Sequence, residues 1–227
     1  MCGRYSFAKL SEEVEKRFKI KVDGNTYVAR YNCAPSQKQG IITNVNPKTL
    51  SYYHWGLLPP WAKDIRMAPH LINARRTSLQ EKPAFREAFS SKRCLVLANG
   101  FYEWKKVGKL KVPYYIHLKS ADLFAMAGLW EEWKDEQGNI KNTFTIITTS
   151  SKGLMQNIHS RMPLILSQKL EKEWLENSKL GDLKKILLAS GEHKMEAFEV
   201  GPKINKATND GPELIEPFKS DKQISLF

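Results

Sequence analysis

Cysteine is scarce in this chain of 227 residues: three stand at positions 2, 33 and 94, with no CxxC pair. An odd number without paired spacing argues against a disulfide framework and against a tetrahedral zinc site. The five histidines (54, 70, 117, 159 and 193) show no HExxH or other paired-ligand spacing, and a glycine-rich loop of the kind that cradles nucleotide phosphates is missing. No cofactor or metal is therefore expected. Apolar runs are short. None approaches the roughly 20 residues needed to cross a bilayer, and the N-terminus, Met1-Cys2-Gly3-Arg4-Tyr5-Ser6, lacks the basic-then-apolar pattern of a secretory signal. The expectation is a cytoplasmic protein without a membrane partner. Repeats, low-complexity stretches and long linkers are absent too, so a single domain spanning 1–227 is expected, as a monomer.

Positive charge is plentiful. Thirty-six Lys+Arg face 24 Asp+Glu, a formal charge of +12, and aromatic residues make up 11%. The surplus admits two readings, a solvated basic surface or a polyanion partner. Aromatics beside cations (Trp61 near Lys63 and Arg66, Trp104 near Lys105 and Lys106) suit single-stranded nucleic acid, where bases stack on rings and cations follow phosphates. An aromatic-rich core would give the same count.

Local patterns give a coarse secondary structure. Ser11 is placed to cap a helix through about Phe18, with Glu12 and Glu13 favourable to its N-terminal dipole. Segments 51–55, 94–98, 114–118, 123–130 and 144–149 read as strands, rich in β-branched and aromatic residues. Turns fall at Gly108 and at 135–138, and a helical turn or two starts at Pro83 and runs to Phe89. Helices are expected over about 167–177 and 182–189, a last strand over 195–200, and irregular chain from Gly201 onward. Strands outnumber helices and do not alternate with them. The expected class is α+β, with a mostly antiparallel, barrel-like β core and a few peripheral helices.

Four residues could carry chemistry, each with a bland alternative beside it. If the initiator methionine is removed, Cys2 presents an α-amine and a thiol on adjacent carbons, groups that titrate at roughly 8 and 8.5. That 1,2-aminothiol can condense with an aldehyde and close to a thiazolidine, which no internal cysteine can do. The alternative is a small residue at a frayed end. Glu103, between aromatics in Asn99-Gly100-Phe101-Tyr102-Glu103-Trp104, is either a desolvated acid/base at a strand end or an exposed glutamate. His159 suits proton transfer near neutrality or is a structural histidine. Asn73, Arg75 and Arg76 bring an amide and two guanidiniums together, for phosphate binding or as a solvated face. Cys33 and Cys94, in apolar company, read as core residues. Lys105, Lys106, Lys109 and Lys111 form an exposed basic hairpin end.

Taken in order, these segments resemble the SRAP family, the SOS-response-associated peptidases that include abasic-site processing proteins. The resemblance rests on Cys2-Gly3-Arg4-Tyr5, Tyr31-Asn32-Cys33-Ala34-Pro35, Trp55-Gly56-Leu57-Leu58-Pro59, Asn73-Ala74-Arg75, Gly100-Phe101-Tyr102-Glu103-Trp104, His159-Ser160-Arg161-Met162-Pro163 and Asn209-Asp210-Gly211-Pro212-Glu213-Leu214. Cys33 stands where an aliphatic residue is expected. The resemblance implies that Cys2 bonds covalently, as a thiazolidine, to the opened sugar of an abasic site in single-stranded DNA. It further implies that Asn73 orients the amine and the sugar, that Glu103 moves protons during imine formation and ring closure, and that His159 assists sugar opening and strand scission or reversal. Arg75 and Arg161 would hold flanking phosphates, with Arg4 a further DNA contact. Pro35, Trp61 and Trp104 would pack near neighbouring bases, and Thr148 would add a polar contact. Release of Met1 by the protein's own site belongs to the same implication; the replication machinery is a candidate partner to which no sequence feature points. Two other readings stand beside it: a cysteine peptidase acting on other proteins through Cys2 and His159, and a noncovalent single-strand-binding module.

Overall fold

The computed structural model describes residues 2–177, 179–189 and 193–218. Met1, whose removal the sequence reading requires, lies outside them. Thirteen strands run in chain order: β1 (Arg4–Phe7), β2 (Arg30–Cys33), β3 (Lys38–Thr43), β4 (Ser51–Trp55), β5 (Asn73–Arg75), β6 (Arg93–Ala98), β7 (Gly100–Val107), β8 (Leu110–Leu118), β9 (Phe124–Lys134), β10 (Ile140–Ser150), β11 (Arg161–Pro163), β12 (Ile165–Leu166) and β13 (Met195–Glu199). Among the described residues the α-helices are α1 (Ser11–Phe18), α2 (Pro83–Ser91), α3 (Gln168–Glu176) and α4 (Leu180–Ala189).

Five strands close on themselves. The order β10-β4-β3-β6-β9 returns to β10 through a β9–β10 pairing, giving a barrel in which only β4–β10 is parallel. Closure removes the unpaired edges that an open sheet would present. β11 and β5 attach to β10, and β12 to β9. A second sheet, entirely antiparallel, has the order β13-β8-β7-β1-β2. The expected barrel-like α+β fold is the one observed.

The chain passes from barrel to second sheet at Asn99-Gly100. Asn99 Oδ1 accepts from the Ala8 amide at 2.7 Å, while its Nδ2 donates to the Tyr115 hydroxyl at 2.9 Å. A Cβ on Gly100 would stand 2.2 Å from the Tyr115 ring, so only glycine lets β8 close over this corner. β1 is thereby pinned on β7, with Arg4 opposite Tyr102 and Tyr5 opposite Phe101.

The main core fills the barrel and the space under β1. Tyr5 meets Trp55 edge-on at 5.3 Å and Trp55 stacks on Phe144 at 6.2 Å. Arg93 is buried at the foot of β6 and donates to the carbonyls of Ser90 (2.7 Å), Trp174 (2.8 Å) and Asn177 (2.5 Å). One guanidinium thus satisfies carbonyls at the C-terminal ends of α2 and α3, where a cation is also favourable to both helix dipoles.

Several boundaries differ from those read off the sequence. Ser11 is the first helical residue of α1, and not its cap. The N-cap position falls on Leu10, whose amide donates to Glu13 Oε2 at 2.9 Å. α2 runs two residues beyond Phe89, and β9 and β10 extend as a hairpin well past the expected 123–130 and 144–149. Strands β1, β2, β3, β5, β7, β11 and β12 carry no pattern that marked them as strands. The tail beyond Gly201 is irregular as expected, yet it is anchored: Ile204 and Leu214 are buried against Tyr102 and Tyr115 in a second apolar cluster.

Candidate functional site

Cys2 is fully buried and belongs to the main core. The frayed-end alternative therefore does not hold. Burial pushes the thiol well above its ordinary range, and the nearby Glu103 carboxylate pushes it further. A thiol held neutral in this way is a weak nucleophile until its surroundings change.

β5 delivers Asn73. This three-residue strand lies parallel to β10, with Asn73 opposite Ile146 and Arg75 opposite Thr148. The Trp55 indole fixes its approach by donating to the Ile72 carbonyl at 2.8 Å. Asn73 Nδ2 then donates to the Cys2 carbonyl at 2.8 Å, while Oδ1 is buried without a partner. Such an orphaned acceptor costs about 1–3 kcal/mol unless a ligand donates to it.

β7 delivers Glu103. It lies in mid-strand opposite Tyr114, and not at a strand end, and is only 2% exposed. Burial raises its carboxyl above the usual range. The positive charge of His159 opposes that rise. Glu103 is therefore a buried carboxyl of raised pKa facing a histidine, a combination typical of functional sites.

His159 follows a 3-10 turn over Gly153–Asn157. Its Nδ1 lies 3.1 Å from the Arg161 amide and 3.2 Å from the Arg161 carbonyl, so the Arg161 backbone can hold the ring with Nδ1 as acceptor or as donor. Arg161, on β11, donates through Nη2 to the Thr148 carbonyl at 3.1 Å and also to the Thr148 hydroxyl. Its guanidinium is shifted down by burial and by the charge of Arg75. Two like charges sit side by side here, and neither takes part in an ion pair among the described residues. The Nε atoms of Arg4 and Arg161 are both buried without a partner. An anion at this place would relieve the repulsion and occupy the donors.

The structure thus gathers Cys2, Asn73, Glu103 and His159, with Arg75 and Arg161 adjoining. Arg4 lies beside Cys2 and donates to the Gly3 carbonyl at 3.0 Å. The remaining candidates are placed differently. Thr148 is fully buried, and its hydroxyl bridges the Ala74 carbonyl (3.3 Å) and Arg161, so it acts on the site through that arginine. Trp104 points to the other face of β7 from Glu103, where its ring packs on the second cluster and its indole donates to Asn205 at 2.8 Å. Trp61 is 54% exposed on the excursion after β4. Pro35 is half-buried in the turn that ends β2, whose next residue, Ser36, donates to the Trp55 carbonyl at 2.8 Å.

Sequence reasoning missed Asp210. Its Oδ1 accepts from the amides of Tyr31 (2.7 Å) and Asn32 (3.0 Å), and Oδ2 pairs with Arg30 at 2.5 Å. Asn32 in turn donates to the carbonyls of Lys206 and Asn209. The tail motif therefore clasps β2, and through the Tyr102 hydroxyl on the Tyr31 carbonyl (2.7 Å) it braces the strand that carries Glu103. The advance signal for Asp210 was its place in the Asn209–Leu214 segment of the resemblance, to which no role was attached. A cavity of about 260 Å³ opens by Met155, Met162 and Met195, and its lining includes none of the four central residues.

The pattern of the SOS response associated peptidase (SRAP) family matches residues 1–207. The chain belongs to the SRAP family. Abasic site processing protein YoqW of Bacillus subtilis is 43% identical over 224 residues, covering 95% of this chain and 99% of that protein. Abasic site processing protein YedK of Escherichia coli is 29% identical, covering 96% and 100%. A crystal structure of a Bacteroides thetaiotaomicron protein superposes with a TM-score of 0.86 at 28% identity, over 96% of this chain and all of that one. Within the matched span, four segments supply the residues gathered around Cys2, and the Tyr31–Pro35 segment is clasped by Asp210 of the tail beyond it.

Proposed function

We propose that this protein processes abasic sites in DNA by bonding its own Cys2 to the opened sugar. The observation that carries the reading is the convergence of a buried N-terminal cysteine, an amide with an orphaned acceptor, a carboxyl of raised pKa and an imidazole on one place. The names borne by the relatives, abasic site processing proteins, agree with it.

The chemistry begins with hydrolysis of the Met1–Cys2 peptide bond, which consumes one water and leaves the α-amine on Cys2. Glu103 and His159 are the groups at hand to move its protons. An abasic sugar is mostly a closed hemiacetal. His159 donates a proton to the ring oxygen while the Glu103 carboxylate takes the proton of the C1′ hydroxyl, so that the ring opens and the C1′ aldehyde appears. The α-amine, held by Asn73 Oδ1, adds to C1′. Glu103 donates to the carbinolamine hydroxyl, which leaves as water, and an imine remains. The Cys2 sulfur then adds to the imine carbon, and the thiol proton passes to nitrogen. One aldehyde and one aminothiol thus give one thiazolidine and one water. Burial keeps the thiol protonated until the imine forms beside it. Arg75 and Arg161 hold phosphates flanking the lesion, so the reacting atoms meet as neighbours within one complex, a gain worth orders of magnitude in rate. Single-stranded DNA is the favoured substrate because its lesion is reached without unstacking a duplex.

The reading is tested with an abasic single-stranded oligonucleotide on a denaturing gel. Wild-type protein gives a shifted band that survives denaturation, and Cys2→Ala gives none above background. A shifted band of wild-type yield in Cys2→Ala would sink the reading.

A further inference from the structure

The strand that carries Glu103 continues outward beyond the body of the protein. From Glu103, β7 runs four residues to Val107, turns through Gly108 and Lys109, and returns as β8. At about 3.3 Å per residue this is an arm of roughly 13 Å. Gly108 has φ +60°, the glycine-first arrangement of a type II′ hairpin turn. A Cβ placed on it would meet nothing within 4 Å, so the tip stands in open space.

The composition of the arm does not explain itself as a solvated hairpin. Lys106 lies directly opposite Lys111, an arrangement in which like charges destabilise the pair. Lys109 adds a third positive charge at the turn, and Lys105 a fourth. Among the described residues none of the four takes part in an ion pair. Between these charges the tip exposes apolar surface: Val107 and Leu110, directly opposite each other, are 50% and 69% exposed. Alternation along the strand puts Lys105 and Val107 on the same face as Glu103, with Leu110 and Val112 as their cross-strand partners. That face leads from the site to the tip as a strip of apolar residues with one cation. Lys106 and Lys111 lie on the opposite face, so the arm carries cations on one side and exposed apolar side chains on the other. A strand wrapping the tip would set phosphates against the first and base faces against the second, and roughly four stacked nucleotides at 3.4 Å each would span the arm.

We infer that the β7–β8 arm is a second nucleic-acid contact, gripping the strand beside the lesion while the Cys2 site reacts. The inference rests on the proposed function for the identity of the partner. The arm would add affinity and position without touching the reacting atoms.

The experiment compares wild-type protein, Lys106→Glu/Lys111→Glu and Val107→Ser/Leu110→Ser on two abasic oligonucleotides. One has two nucleotides on either side of the lesion, and the other ten. Adduct formation is followed under subsaturating protein. The wild type reacts faster on the long strand, on the order of tenfold. Both variants lose most of that advantage while matching the wild type on the short strand, and the charge variant shows a shallower salt dependence on the long one. Variants that keep the wild-type long-to-short ratio would overturn the inference. If the wild type forms no adduct on either strand, the proposed function has failed instead. The arm is then judged by noncovalent binding of the same proteins to an intact long strand, where equal affinities would overturn it. Lys109→Glu, confined to the turn, repeats the charge test without altering a strand position.

Discussion

Between α1 and α3, Glu171 is buried and met by Arg17 in a two-point fork, with Nη1 and Nη2 at 3.0 and 2.6 Å from its two oxygens. Beneath β1, Glu103 is just as buried. It faces a histidine, and its carboxyl stays raised in spite of that charge. Glu171 is compensated by a group that never loses its charge and whose geometry is fixed. Among the described residues Glu103 has no such fixed arginine partner. The first arrangement closes a fold, since it fastens two helices. The second is costly to the fold and useful to proton transfer, a combination expected where activity is retained at the expense of stability.

The comparison breaks most sharply on Glu103→Gln. The neutral isostere cannot exchange protons, and adduct formation is expected to slow by about 10²–10⁴-fold. The same variant removes a buried carboxyl that resists ionisation, so at pH 7 its thermal midpoint is expected to lie above that of the wild type. A slower enzyme that is also less stable would mean that Glu103 is structural, as Glu171 is. Arg17→Ala should do the reverse. Leaving Glu171 buried and uncompensated costs about 3–5 kcal/mol, a fall on the order of 10 °C in midpoint for a chain of this size. Its adduct rate per folded molecule should stay within about twofold of wild type at a temperature where both are folded, by gel quantification. A smaller effect separates the two sites by pH. The folded-state pKa of Glu103 is raised, so the stability linked to its proton is fully present below the unfolded value near 4.5 and is lost as pH rises through the raised value. Denaturant titrations from pH 4.5 upward should show wild type progressively losing stability relative to Glu103→Gln. Parallel profiles would place the titration elsewhere.

What the sequence made legible follows the same division. The barrel strands were readable at 51–55 because aromatic residues concentrate there, and at 94–98 because Cys94-Leu95-Val96-Leu97-Ala98 is a short continuous apolar run. β1, β5 and β11 were not, since each has three or four residues and exists only because a longer strand offers it an edge, as β10 does for Asn73–Arg75. β7 shows no alternation because its first four residues are buried on both faces, by the main core and by the tail cluster. The early end assigned to β9 and the late start assigned to β10 fall where polar and charged residues interrupt the apolar pattern, although Trp133 there is buried against Leu58 and Ala62. Of the site, Cys2, Asn73, Glu103 and His159 were named from residue type and motif. Their convergence was not derivable from spacing, because they come from four segments up to 157 positions apart (159 − 2). The burial of Cys2 went against its place at a chain end, and the clasp by Asp210 depends on a contact across about 180 residues.

The central claim is that Cys2 becomes the N-terminal residue and joins the sugar through both nitrogen and sulfur. Intact mass spectrometry of the wild-type protein after incubation with an abasic single-stranded oligonucleotide tests it most directly. The account predicts a species equal to the protein without Met1 plus the oligonucleotide minus one water, with the added mass mapping to Cys2 after digestion. A Met1-free protein that gains no mass, or an adduct that maps to a lysine, would contradict it.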